Sequence, residues 1–206
     1  MLVTVEVLTI VLIATATALA LAHALEWPGK LRLQKDQYLA VQAIYYPGFT
    51  IGGAAEPAAL LLTAILLLLT PAGTPGSWLI AAALVGMLAM HATYWILTHP
   101  VNNLWLKDTR LEGAGARFFA VGASRGSDEK TGEDWTALRD RWEWSHVVRA
   151  ALGLISLILI ATAIALWATS AARSLDAQRQ EYPDRTKATR LPGAAPGGRA
   201  RLTRNP

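Results

Sequence analysis

Four blocks of apolar residues, at 2–25, 49–70, 78–97 and 147–168, punctuate the chain, and polar stretches separate them. Each block is close to the roughly 20 residues that a helix needs to cross ~30 Å of hydrocarbon. The pattern predicts an all-α fold, a polytopic bundle of four transmembrane helices over residues 1–170. Residues 171–206 read as a disordered basic tail. Four crossings return the chain to its starting side. Both termini and the short 71–77 turn then share one side, and the 26–48 and 98–146 loops share the other. Basic residues are nearly balanced between the sides, so the positive-inside rule leans only slightly toward cytoplasmic loops.

The second block is irregular. Its entrance, "YYPGFTIGGAAEP", carries Pro47, Gly48, Gly52, Gly53 and Pro57, all of which weaken or interrupt a helix. A helix that began at Pro57 would be too short to span, so a broken second helix is expected, with its irregular backbone covered by protein or a polar cavity. Glu56 sits at the break. A carboxylate at that depth is either a functional group or the anion that caps the short helix.

The fourth helix is predicted to begin well before the membrane, with Thr131 and Asp134 as a capping-box-like start and no proline up to 168. On a helical projection Trp135, Arg139, Trp142, His146, Arg149 and Gly153 fall within about 80° of arc. Asp140, Arg141 and Trp144 point elsewhere. A belt of interfacial Trp and Arg would surround the helix, whereas a narrow face suits a site inside the bundle. The third helix carries a similar stripe of His91, Tyr94, Trp95, Thr98 and, loosely because of Pro100, Asn102. That helix is expected to end near "HPVNNLW". The first ends at "AHALEWPGK", where His23 and Glu26 are one turn apart.

Composition sharpens this picture in three ways. The chain is 53% hydrophobic and only 17% charged, below the ~25% of soluble domains. Its pI of 9.6 does not point to nucleic acid, because eight of the 19 Lys and Arg lie after Ala171 in the Pro- and Gly-rich tail. The expected partner of that tail is the anionic headgroup surface. The first block lacks the basic start of a secretory signal, and the absence of cysteine removes disulfides, thiolate metal sites and a Cys nucleophile.

No His pair has metal-binding spacing, and His91 lacks an equally deep partner for haem, so no metal and no cofactor is expected. An apolar cavity with a few convergent polar groups fits better. Within it His146 could move a proton and Arg149 could hold a developing anion, which makes them the candidate catalytic pair. Glu26, Glu56, His91, Tyr94, Asn102, Asn103, Trp135, Arg139 and Trp142 are the candidate ligand-binding residues.

Four segments, "LAHALEWPGKLRL", "YYPGFTIGGAAEP", "THPVNNLWLKD" and "DWTALRDRWEWSHVVRA", resemble the bacterial branch of a four-helix membrane family that includes the fungal anthrone oxygenases. The resemblance covers about residues 5–170. The family's Pro-x-Asn-Asn element matches Pro100, Asn102 and Asn103, and its last-helix Trp and Arg match Trp142 and Arg149. Where the wider family often has Asn, this chain has His146. The resemblance implies oxidation of a polycyclic anthrone to an anthraquinone without metal or organic cofactor. The expected protein is a multi-pass component of the cell inner membrane that binds or oxidises a flat, quinone-like or polyphenolic molecule. The alternative is a non-catalytic membrane subunit whose stripe packs on another membrane protein, on a second copy or on lipid headgroups.

Overall fold

A computed structural model describes residues 2–45, 48–105 and 134–181, and every regular element among them is helical. Four helices are long and apolar enough to cross a membrane: Leu2–Lys30, Gly48–Leu69, Pro75–Trp105 and Trp135–Gln180. The chain is a multi-pass, all-α membrane protein. Helix α1 (Leu2–Lys30) is followed by the short α2 (Lys35–Gln42) and one 3₁₀ turn, Ala43–Tyr45.

The second span is broken, as its glycines and prolines predict. Helix α3 (Gly48–Gly53) gives way to α4 (Ala55–Leu69) across a single residue, Ala54. The pieces together make 22 residues, enough to span. Pro57 lies in the first turn of α4, where a missing N–H is harmless. The turn after α4 is set by Gly73, the one described residue with positive φ (77°). Thr74 Oγ1 then accepts the Ser77 N–H at 3.2 Å and starts α5 (Pro75–Thr93), with Pro75 at its first position.

The third span ends, among the described residues, at Trp105, the last residue of "HPVNNLW", as expected. It passes through a π-helical turn, Tyr94–Thr98, into α6 (His99–Trp105). Pro100 has no N–H to offer the Ile96 carbonyl four residues back. A wider turn is the usual way a helix absorbs such a defect. The Arg141 guanidinium of the last helix supplies the missing donor, 2.6 Å from the Ile96 oxygen. Arg141 thus has a partner that its place outside the stripe did not suggest.

Helix α7 (Trp135–Glu181) is 47 residues long. Asp134 caps it by accepting the Thr136 N–H at 2.9 Å, one turn later than the expected start, and Thr131 lies outside the described residues. At the other end the helix continues through 171–181, a stretch expected to belong to the disordered tail; residues 182–206 lie outside the described residues. The stretch "SAARSLDAQRQE" is rich in Ala, Gln and Arg, all good helix formers.

Helix α1 packs on α4 and α4 on α5. Helix α7 closes the ring through two glycines. Gly153 receives Thr17 of α1, and Gly86 of α5 receives Ser156 of α7, each so closely that a Cβ would collide. The interior is built largely from Ala16, Ala20, Ala59, Ala83, Ala150 and Ala163, with Ile13, Leu66, Ile80, Met87 and Met90 filling between them. Large side chains such as Leu61, Leu68, Trp78, Val85 and Ile158 face outward. Small residues inside and large apolar ones outside is the arrangement expected in lipid, where close backbone approach drives helix association. Gly153→Ala should therefore cost about 1–3 kcal/mol by overpacking. Thr17→Ala should restore most of that loss in the double variant. Equal melting temperatures in detergent for wild type and Gly153→Ala would show that the two helices do not meet there.

Candidate functional site

A cavity of about 420 Å³ lies among α1, α3, α4, α5, α6 and α7. That volume is within the roughly 300–1,000 Å³ of small-molecule sites. One wall is aliphatic, from Ala16, Leu19 and Ala20 of α1. The others carry His23, Tyr45, Phe49, Trp95, Trp142 and His146 as rings, and Glu56, His91 and Arg149 as charged or polar groups.

Glu56, in the first turn of α4 just after the break, is 4% exposed and lines this cavity. Its two carboxylate oxygens have separate partners. Oε2 accepts from Arg149 Nη2 at 2.6 Å, and Oε1 lies 2.9 Å from His91 Nδ1. The tautomer of His91 follows from its other nitrogen. Trp95 Nε1, which can only donate, is 3.0 Å from His91 Nε2. Nε2 must be the lone-pair nitrogen, so Nδ1 carries the proton and donates it to Glu56. Arg149 also stacks over the Tyr94 ring, 5.1 Å from its centroid. One guanidinium edge is thus occupied, while Arg149 Nε is buried with no acceptor among the described residues.

His146 is held differently. Its Nδ1 is 2.8 Å from the Trp142 carbonyl, which can only accept, so the ring proton is on Nδ1. Nε2 keeps its lone pair. The Trp142 indole is fixed by donating to Asn102 Oδ1 at 2.7 Å, and its ring lies against His146 with centroids 4.0 Å apart. His23 is the hub of the remaining rings. It meets Tyr45 and His146 at 4.4 Å, Phe49 at 4.6 Å and Trp142 at 4.8 Å. Such walls suit a flat aromatic guest.

Behind the rings lies a second buried layer. Lys30, 4% exposed, sits 3.1 Å from Glu26 Oε2 and 3.6 Å from Glu143 Oε1. Its ammonium lies over the rings of Tyr45 (5.0 Å) and Trp142 (4.9 Å), two residues of the cavity wall. Tyr38 donates to Glu143 Oε1 at 2.8 Å, and Tyr45 donates to Glu26 Oε2. Burial, and next the nearby Glu143 carboxylate, push the Tyr38 phenol well above its usual range. Burial, and next the bond to Glu26, do the same for Tyr45. Both hydroxyls therefore stay protonated and act as donors at neutral pH.

Of the residues singled out in the sequence, Glu56, His91, Tyr94, Asn102, Trp142, His146 and Arg149 all line the cavity. Four do not. Glu26 is outside it, bonded to Tyr45 and Lys30. Asn103 pairs with His99 Nε2 at 3.2 Å. Arg139 stacks on Trp135 and bonds Asp140, at the Tyr38 end of α7. The projection that grouped Trp135 and Arg139 with Arg149 spans four turns, whereas the cavity is only about two turns deep along α7. Sequence reasoning passed over Lys30, Tyr38, Tyr45, Phe49 and Glu143. The "YYPGF" entrance was a usable signal for Tyr45 and Phe49. Nothing local marks Glu143, about 100° round α7 from Trp142.

A family model described as anthrone oxygenase matches residues 44–159, more than half of the chain, and the chain belongs to that family. No curated protein and no solved structure matches it.

Proposed function

We propose that this member of the anthrone oxygenase family binds a flat, oxygen-bearing aromatic molecule in the cavity and oxidises it with molecular oxygen in the inner membrane. One observation carries the reading. The aromatic walls enclose polar atoms that lack a hydrogen-bond partner among the described residues: His23 Nδ1, Thr50 Oγ1 and Arg149 Nε. Buried polar atoms left unpaired cost about 1–3 kcal/mol each, so a cavity with three of them is shaped for a guest that bonds them. An anthrone has the required flat apolar body and carbonyl or phenol oxygens.

The chemistry follows from the two ends of the cavity. His146 Nε2 takes the proton of the phenol tautomer or of the methylene, and the charge develops on the guest's oxygen. Arg149 Nε is the free donor that meets that oxygen. The indole of Trp142, fixed by Asn102, keeps the rings coplanar with the anion. The electron-rich carbon then reacts with O₂. One oxygen atom becomes the new carbonyl, and the other leaves as water with the two hydrogens lost from the methylene.

His146→Asn tests the base directly. Binding of a hydroxyanthrone, followed by quenching of tryptophan fluorescence, should be unchanged. Oxygen uptake should fall by about 10²–10⁴-fold, the usual contribution of a general base. Uptake equal to wild type would remove His146 as the base. Binding by wild type with no oxygen uptake would make the protein a carrier or a non-catalytic subunit.

A further inference from the structure

We propose that the cavity is filled sideways from the bilayer, through a port between the break in the second span and the π-helical turn of the third. Its guest is accordingly an uncharged polycycle dissolved in the lipid. The inference rests on the reading of the cavity as a binding site. Deep in the cavity, Ala20, His23, Asn102, Trp142 and His146 of α1, α6 and α7 are all buried. Among the described lining residues the exposed ones are Ala54, Pro57 and Trp95. Ala54 is the break itself, Pro57 is in the first turn of α4, and Trp95 is in the π-helical turn. The cavity thus reaches the surface where two irregular pieces of helix border it. The break supplies the gap: Gly53 has no side chain, and a Cβ built there would meet nothing within 4 Å. Just inside, the 2.9 Å contact of His91 with Glu56 ties the two lips together, and Trp95 is held at the edge by donating to His91 Nε2.

The surface around this mouth is apolar. Ile51, one turn before Ala54, and Leu61, one turn after Pro57, are 66% and 62% exposed, and Ile96 beside Trp95 is 63% exposed. Glu56 is the one Asp, Glu, Lys or Arg between residues 48 and 98, and it is buried. At about 1.5 Å per residue, Ala54, Pro57 and Trp95 lie roughly 9–15 Å inward from the Gly48 and Trp105 ends of their spans. A charge-free surface at that depth, rimmed by large apolar side chains, meets acyl chains rather than water. A solute entering there comes from the hydrocarbon. A sulfonate or phosphate conjugate pays the cost of bringing a charge into that medium, whereas a neutral polycycle is already concentrated at the mouth.

Binding kinetics in lipid test the port without the oxidation. The full-length protein in phosphatidylcholine nanodiscs is mixed with anthrone under nitrogen in a stopped-flow instrument, and the saturable part of the tryptophan quenching is followed. Ala54→Phe and Pro57→Phe, which add bulk at the mouth, should each slow both association and release by about tenfold or more. Val85→Phe, on the outer face of α5, should bind at the wild-type rate. Where one mouth variant does not fold, the other decides. A second measurement needs neither. In nanodiscs made with lipid brominated along the acyl chain, the fluorescence lost on Trp95→Phe should be strongly quenched, and aqueous iodide should leave it untouched. Quenching by iodide and not by bromine would place the mouth in water and overturn the port. Association of both mouth variants at the wild-type rate would also overturn it and leave the site reading intact. Faster release with unchanged association would make these residues contacts of the guest, and overturn it too. Absence of any saturable quenching in wild type would bring down the site reading, and the port with it.

Discussion

Arg149→Ala is expected to abolish turnover of a hydroxyanthrone and to destabilise the protein at once. The two losses have different origins and can be separated. Arg149 and Glu56 are buried, with side chains 12% and 5% exposed, and their ion pair joins α7 to the broken second span. Removing one partner leaves the carboxylate buried with only the His91 N–H, which costs about 3–5 kcal/mol. Replacing both by neutral groups should be far milder, so Arg149→Ala with Glu56→Gln should recover most of the melting temperature. Turnover should stay depressed by about 10²–10³-fold in the double variant, because the free Nε donor is still missing. Arg149→Lys should keep the ion pair but not the donor geometry, since an ammonium is a point charge and not a fork. If the double variant binds and turns over like wild type, Arg149 serves only to hold the helices together.

The second large effect is expected at Lys30. Lys30→Met removes the one cation among the described residues beside Glu143, a side chain with no exposure at all. The loss should again be about 3–5 kcal/mol, with a further contribution from the lost contacts over Tyr45 and Trp142. Glu143→Gln alone should be much less harmful, because Lys30 keeps Glu26 at 3.1 Å and Tyr38 can donate to an amide oxygen. Lys30→Met with Glu143→Gln should therefore be more stable than Lys30→Met alone. Thermal melting in one detergent across the four proteins measures this coupling. Additive effects of the two substitutions would mean that the charges do not interact.

The single-helix periodicity of α7 was informative over two turns and misleading beyond them. Trp142, His146 and Arg149 share a face and share the cavity. Trp144, 54% exposed, points outward as the projection requires. Trp135 and Arg139 share the same face but lie too far along the axis, so the angle was right and the depth was wrong. Arg141 points away from that face on the projection, and it is exposed, yet its long side chain reaches the Ile96 carbonyl. That bond depends on a defect in another helix, created by Pro100, and no pattern within α7 can register it.

What the amino-acid sequence alone determined is the set of four apolar spans, the break before Glu56 and the polar face of α7. Each of these is a property of consecutive residues: hydrocarbon thickness sets the span length, missing N–H groups and glycines set the break, and the 3.6-residue repeat sets the face. Only the tertiary structure decided the partners. Glu56 meets Arg149 across 93 positions, Tyr38 meets Glu143 across 105, and Trp142 meets Asn102 across 40. Such pairings arise because a buried polar group must find its complement wherever the packed helices bring one within reach. Lys30 and Glu143 show the consequence most clearly: each reads in the chain as an ordinary charge near a helix end, and together they form the buried layer that supports the cavity wall.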